Sequence, residues 1–242
     1  MPSAPATSTT TTGVAAQPAP GSDLRALFRA AYENRYTWDP SFGGYGGRCV
    51  WEQGDRRVEG RFRVGADLKA TVEGIEDAEV HKALASQLWE VAIHRVRRPF
   101  EQTHGENTFT AGDTDAVGTE VIVGGKNTGD RYRINGDVVT MVHRHIHGTV
   151  VTIFTESTTD TGAGYLSRSY TSQYADPATG AAKSGKSRFT DTFVPLGGSG
   201  PWVLAERVID TDASEGQPAA RQTFRFEALE PLPQAGAENA PA

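Results

Sequence analysis

The chain has 242 residues, a formal net charge of −6, one cysteine and 37% hydrophobic residues. The acidic balance argues against a nucleic-acid or acidic-membrane partner, since both reward an excess of Lys and Arg. A single cysteine, Cys49, excludes a disulfide framework and agrees with a reducing, cytoplasmic setting.

Residues 1–21 carry no acidic, basic or aromatic side chain, and the last dozen, PLPQAGAENAPA, read the same way. Such stretches cannot bury enough apolar surface to offset their ordering entropy, so disordered tails are expected at 1–21 and 231–242 around one domain at 22–230. The N-terminus lacks the basic start and continuous apolar run of a secretion signal, and no stretch is long enough to span a bilayer.

Ser22 is a good N-cap, and Leu24, Leu27, Phe28, Ala31 and Tyr32 form one apolar stripe, predicting a helix to about Tyr36. FGGYGG follows as a flexible turn. CVWEQ, RVEGRFRV and LKATVEG alternate as strands. A second helix is predicted from about Asp77 to Arg97, with Val80, Leu84, Leu88, Val91 and Val96 facing one way. Arg95, Arg97 and Arg98 lie where cations suit its dipole.

From Asn107 onward only strands and turns are predicted: NTFTA, TEVIVG, DRYRI, DVVTMVHRHIH, TVVTIFTES, YLSRSYTSQYA, SRFTDTFVP, WVLAERVID and RQTFRFEAL. Asn135-Gly136 marks a tight hairpin, and Gly148 closes the next. The expected fold is therefore α+β: one large curved antiparallel sheet of the open half-barrel type, with two principal helices.

GAAKSGKS, residues 180–187, fits the phosphate-loop pattern, but that chemistry needs a helix after the loop to aim N–H groups at phosphates. Arg-Phe-Thr-Asp-Thr-Phe-Val follows instead, which is a strand. The match is accidental. His143, His145 and His147 in HRHIH alternate, so all three imidazoles are expected on one strand face in line with Val139 and Met141. Two of them could hold zinc, copper, nickel or iron, with His104 completing the site if the fold brings it near. The plain alternative is a polar strand end bonded to water.

Tyr32, Tyr36, Trp38, Phe42 and Tyr45 crowd into fourteen positions. They are either core, or the segment from Trp38 to Tyr45 is an aromatic flap over an apolar pocket.

The stretches LFRAAYENRYTWDPSFGGY, FEQTHGENTF and DTGAGYLSRSY resemble a cyanobacterial family classified only as a domain of unknown function, from about Leu24 to Leu229. The resemblance implies a photosynthetic bacterial setting and supplies no catalytic residues. The order of elements is also similar to the open half-barrel of bacterial lipoprotein carriers, by architecture alone.

Two functions fit these residues. The first is a soluble binding protein holding a hydrophobic small molecule, lipid or pigment-like, against the sheet through Trp38, Phe42, Tyr45, Val139 and Met141, with no cofactor. The second is a metal-dependent enzyme or sensor using a transition metal at His143, His145 and His147, with His104.

Overall fold

The computed structural model describes residues 24–233, so the N-cap at Ser22 and most of both expected tails lie outside the described residues. At the C-terminal end the fold reaches past the expected boundary, because Leu232 N–H still donates to the Gly44 carbonyl (3.0 Å).

Three helices and twelve strands follow one another: α1 Leu24–Glu33, β1 Gly44–Gln53, β2 Arg56–Gly65, β3 Ala70–Glu73, α2 Ala78–Ile93, α3 Phe100–His104, β4 Asn107–Thr114, β5 Thr119–Gly125, β6 Arg131–Asn135, β7 Val138–Ile146, β8 Thr149–Asp160, β9 Tyr165–Ala175, β10 Ser187–Pro195, β11 Trp202–Thr211 and β12 Ala220–Pro231. A single 3₁₀ turn, Leu196–Gly198, links β10 to β11. All twelve strands form one open antiparallel sheet in the order β3-β2-β1-β12-β11-β10-β9-β8-β7-β6-β5-β4. The expected fold class is met.

Residues 74–106 connect the two edge strands, β3 and β4, and carry α2 and α3 across one face of the sheet. That inner face can be followed through the register. Tyr132 lies opposite Val142, Val142 opposite Ile153, and Ile153 opposite Ser172. Two residues back along β9, Tyr170 lies opposite Phe189; two further along β10, Asp191 lies opposite Arg207, then Phe224, then Trp51. Opposite and alternate residues share a face, so all of these point the same way.

Two apolar cores sit on this face. Under α2, Val80, Leu84, Leu88 and Val91 pack onto Trp51, Phe62, Phe224 and Phe226. Each fully buried Leu contributes about 1.5–3 kcal/mol. Asp77 caps this helix by accepting from Glu79 N–H (3.0 Å) and Val80 N–H (3.1 Å). Under α1, Phe28, Tyr32, Phe100, Val121, Tyr132 and Ile134 form the second core.

Four expectations change. The first helix ends at Glu33 rather than Tyr36, because the chain there turns to bridge β9: Tyr36 N–H donates to the Tyr165 carbonyl (2.9 Å). The second stops at Ile93, well short of Arg97; His94 and Arg95 N–H close a tight last turn, and the Arg95 carbonyl is taken by Trp38 N–H (2.8 Å). FGGYGG is not a free turn, since Gly44 to Gly47 already belong to β1. A side chain at Gly46 would meet the Phe62 carbonyl at 2.9 Å, so backbones approach closely there. The five-residue α3 had no sequence signal.

Candidate functional site

Two irregular segments cross the inner face between the cores. The first strap, residues 34–43, leads from α1 to β1; the second, residues 94–99, leads from α2 to α3. They are bonded to each other twice, by Trp38 N–H to the Arg95 carbonyl (2.8 Å) and by Arg95 Nη1 to the Tyr36 carbonyl (3.1 Å). The first is also pinned to β11: Trp38 Nε1 donates to the Trp202 carbonyl (2.9 Å), and the Tyr36 hydroxyl accepts Trp202 N–H (3.0 Å).

Beyond the straps, the inner face over β8 to β10 forms a seam. Ile153, Tyr170, Phe189 and Tyr174 belong to neither core; the first three are half-buried and Tyr174 is 50% exposed. The Tyr170 and Phe189 rings stack at 4.7 Å with 4° between their planes. Beside them, Arg207 is 2% exposed and fully satisfied. Its Nε and Nη2 donate to Asp191 Oδ1 and Oδ2 (2.7 and 2.6 Å), Nη2 also to the Tyr170 hydroxyl (2.9 Å), and Nη1 to Gln87 Oε1 (2.8 Å) and Glu90 Oε1 (3.4 Å). This pairing offsets the cost of burying the charge and ties α2 to the middle of the sheet. Burial pushes the Tyr170 phenol well above its ordinary value, so it stays protonated.

A small cavity of about 170 Å³ opens between the straps, lined by Arg35 and Thr37 of the first and by Arg97, Arg98 and Pro99 of the second, with Tyr32 and Glu33 of α1. Arg35 is held in place: its Nε donates to the Tyr32 carbonyl (2.8 Å) and its guanidinium lies 3.9 Å from the centre of the Tyr32 ring. A larger concavity, about 810 Å³, opens around β1 to β3 on the side that carries Arg48 and Arg61. Its lining is balanced in charge, Arg48, Arg61 and Arg63 against Glu59, Glu73 and Glu230, and Arg48 is already paired with Glu59 and Glu227, so it is a weaker candidate despite its size.

The sequence-derived site residues scatter. Trp38, Phe42 and Tyr45 do gather, with ring centres 4.9 Å (Trp38–Phe42), 6.0 Å (Trp38–Tyr45) and 6.2 Å (Phe42–Tyr45) apart, but they pack into the α2 core and fill the space that a pocket would need. Tyr45 is fully buried, its hydroxyl has no hydrogen-bond partner, and burial pushes its phenol up. Val139 and Met141 do not share a face. Thr140 is an extra residue between the pairs Ile134–Val139 and Arg133–Met141, and this bulge shifts the alternation by one. Val139 therefore joins the α1 core, while Met141, His143 and His145 point to the outer face.

The histidines divide further. His143 and His145 are neighbours, ring centres 5.7 Å apart, and His143 Nδ1 pairs with Thr152 Oγ1 (2.9 Å). Burial, then Arg131, lowers the His143 pKa. His147 lies past the end of β7 at a φ of 48°, in the turn. His104 is 3% exposed inside the α1 core, its Nδ1 bonded to Asn107 Nδ2 (3.1 Å). Among the described residues no group of three or more His, Cys, Asp or Glu is placed to hold a metal ion. Cys49 is buried in the α2 core, and burial pushes its thiol up to about 11. Lys186 and Ser187 sit where β10 begins, with no helix after the loop. Among the described residues no helix is long and apolar enough to cross a membrane.

The straps and the seam were missed by sequence reasoning. Alternation in YLSRSYTSQYA and SRFTDTFVP gave the two strands but not which side of each faces the helices.

A family model described as "Protein of unknown function (DUF3386)" matches residues 19–232. No curated protein matches the chain. Among solved structures, a domain described as an outer membrane lipoprotein-sorting protein from Vibrio parahaemolyticus is similar at 6% identity and a TM-score of 0.37, over 89% of this chain and 94% of that one. A LolA superfamily protein from Nitrosomonas europaea is similar at 8% identity and a TM-score of 0.32, over 86% and 93%. A DUF1329 family protein from Desulfovibrio piger is similar at 7% identity and a TM-score of 0.27, over 88% and 94%.

Proposed function

The chain belongs to the DUF3386 family of proteins of unknown function, and from that premise we propose that it is a carrier which holds a hydrophobic molecule along the inner-face seam. The observation that carries this reading is the row Ile153, Tyr170, Phe189 and Tyr174. These apolar and aromatic side chains line the helix-bearing face yet lie outside both packed cores. Apolar surface left open next to cores that close elsewhere is how a fold keeps room for a partner. The cargo lies against the stacked Tyr170–Phe189 pair rather than against Trp38, Phe42 and Tyr45, which consolidate the strap. A lipid or pigment-like cargo, a photosynthetic bacterial host and a cytoplasmic location belong to the same proposal. The first rests on the apolar face of the curved sheet, the second on the family resemblance, the third on the single buried cysteine.

The test uses N-phenyl-1-naphthylamine, a neutral fluorophore that brightens in apolar surroundings, titrated with the full chain. Saturable enhancement is expected. Ile153→Asp should weaken it roughly tenfold or more, because a carboxylate would have to be desolvated by the probe. Its thermal transition should stay cooperative, since Ile153 is half-buried and belongs to neither core. No enhancement with the wild type, or equal binding by the variant, would sink the proposal. Solvent extraction of protein from its native host, followed by mass spectrometry, identifies the cargo.

A further inference from the structure

We propose that the cavity between the two straps is an oxyanion site, and that the molecule carried on the seam is therefore amphipathic, with a carboxylate or phosphate head. This rests on the carrier reading for the tail, but the head site stands on its own geometry.

Three arginines, Arg35, Arg97 and Arg98, line about 170 Å³ of space together with one acidic residue, Glu33. That carboxylate is partly engaged, since Glu33 Oε1 accepts Phe100 N–H (3.4 Å). Arg97 and Arg98 have no hydrogen bond or ion pair among the described residues, and Arg35 uses only its Nε, leaving both Nη groups unbonded. The cation–π contact with Tyr32 and the Nε bond fix the plane of the Arg35 fork in advance. A fixed fork with free Nη groups is suited to two-point contact with a carboxylate or phosphate. Like charges around one cavity repel, and an anion bound among them relieves the repulsion.

A fourth guanidinium lies on the same strap. Arg95 Nε is buried with no hydrogen-bond partner, and burial pulls the group down to about 10, so it remains charged at neutral pH. Surface ion pairs elsewhere neutralise most arginines of this acidic chain, as in Arg225 with Glu52 and Glu206. Arg35, Arg97 and Arg98 belong to those that have no ion pair among the described residues, and the three line one cavity.

The placement also connects head to tail. Arg35 bridges the backbone of Tyr165, at the start of β9, while the seam begins at Tyr170 on the same strand. At about 3.3 Å per residue those points are roughly 16 Å apart, so an anion at the straps can lead an apolar chain along β9 toward Tyr174.

The experiment compares cis-parinaric acid with its methyl ester on the full wild-type chain and on the double variant Arg97→Gln/Arg98→Gln. Both residues are exposed, so the variant should fold. Inorganic phosphate is added as a separate arm and read by thermal shift. We expect the acid to bind about tenfold more tightly than the ester, and the variant to lose that preference while keeping ester affinity. Equal affinities in the wild type, or a preference that survives in the variant, would overturn the inference. If neither parinaric probe binds, the carrier reading fails and phosphate decides the head site. A rise in melting temperature that the variant abolishes upholds an anion site for free phosphate; no rise overturns it.

Discussion

The core beneath α2 and the core beneath α1 lie on one face of one sheet but are built differently. The α2 side is assembled from an aliphatic helix stripe, Val80, Leu84, Leu88 and Val91, laid on strand aromatics such as Phe62 and Phe226. The α1 side is a nest of rings. Phe28 meets Tyr32, Phe100, His104, Phe109 and Tyr132, all with centres 4.5–6.3 Å apart. A stripe of Leu and Val needs only the right period and size. A ring nest needs edges and faces matched, so it tolerates less substitution. The second core also holds a histidine, His104, whereas the titratable side chains of the first, such as Cys49 and Tyr45, are pushed up by burial and stay protonated.

The largest expected effect separates the two kinds of packing. Phe28→Ala should cost about 3–5 kcal/mol, because it removes the ring on which five others lean. Leu84→Ala should cost about 2–5 kcal/mol and sit lower in its range, since neighbouring aliphatic side chains can close in. Denaturant unfolding of both variants measures this. A costlier Leu84→Ala would break the comparison.

The next effect is the acid sensitivity that His104 brings to the α1 core, beside that of His94 at the end of α2, which burial also lowers to about 4. Burial, then Arg144 and Arg35, lowers His104 to about 4, against an ordinary value near 6.5. The unfolded chain thus takes up this proton first. Stability should be undiminished by His104 above pH 6.5, fall as pH drops from about 6.5 to about 4, and level off below that, by about 3 kcal/mol at 1.36 kcal/mol per pKa unit. Unfolding free energies across that window should show a shallower slope in His104→Gln, whereas Leu84→Ala should keep the wild-type slope. Parallel slopes for wild type and His104→Gln would refute the assignment.

The smallest effect lies on the outer face. His145→Gln should change stability by no more than about 0.5 kcal/mol, as at other exposed sites. Elemental analysis of gently purified protein should return no stoichiometric metal. One equivalent of zinc, copper, nickel or iron would reopen a role for the His143–His145 pair.

How much of this was legible follows the same division. The α2 stripe and its Asp77 boundary could be read because an amphipathic helix repeats its signal over four turns. The bounds of β9 and β10 could be read because turn residues bracket them. α3 offers one turn, too short for any period. The phase of HRHIH could not be read, because the bulge at Thr140 arises from pairing with Arg133 and Ile134, far from the histidines in meaning though near in sequence. Arg95, Arg97 and Arg98 looked like charges suited to a helix end. Their actual place on a strap depends on Trp38 capturing the Arg95 carbonyl, a contact between segments 57 positions apart that no local pattern encodes. The seam was hidden for the same reason: which side of a strand faces the helices is decided by its partners.

The pairing of β1 with β12 has a further consequence during synthesis. Arg225 of the last strand reaches Glu52 of the first across 173 positions, and β1, β2 and β3 join the rest of the sheet only through that seam. A ribosome must therefore finish nearly the whole chain before the N-terminal hairpin has its neighbour, leaving the inner edge of β1 uncovered in the meantime. Closing so long a loop is slow. The strands β4 to β11, each paired to the next in order, can accumulate as they emerge, and the final dozen residues of the sheet act as the latch that turns two separate pieces into one.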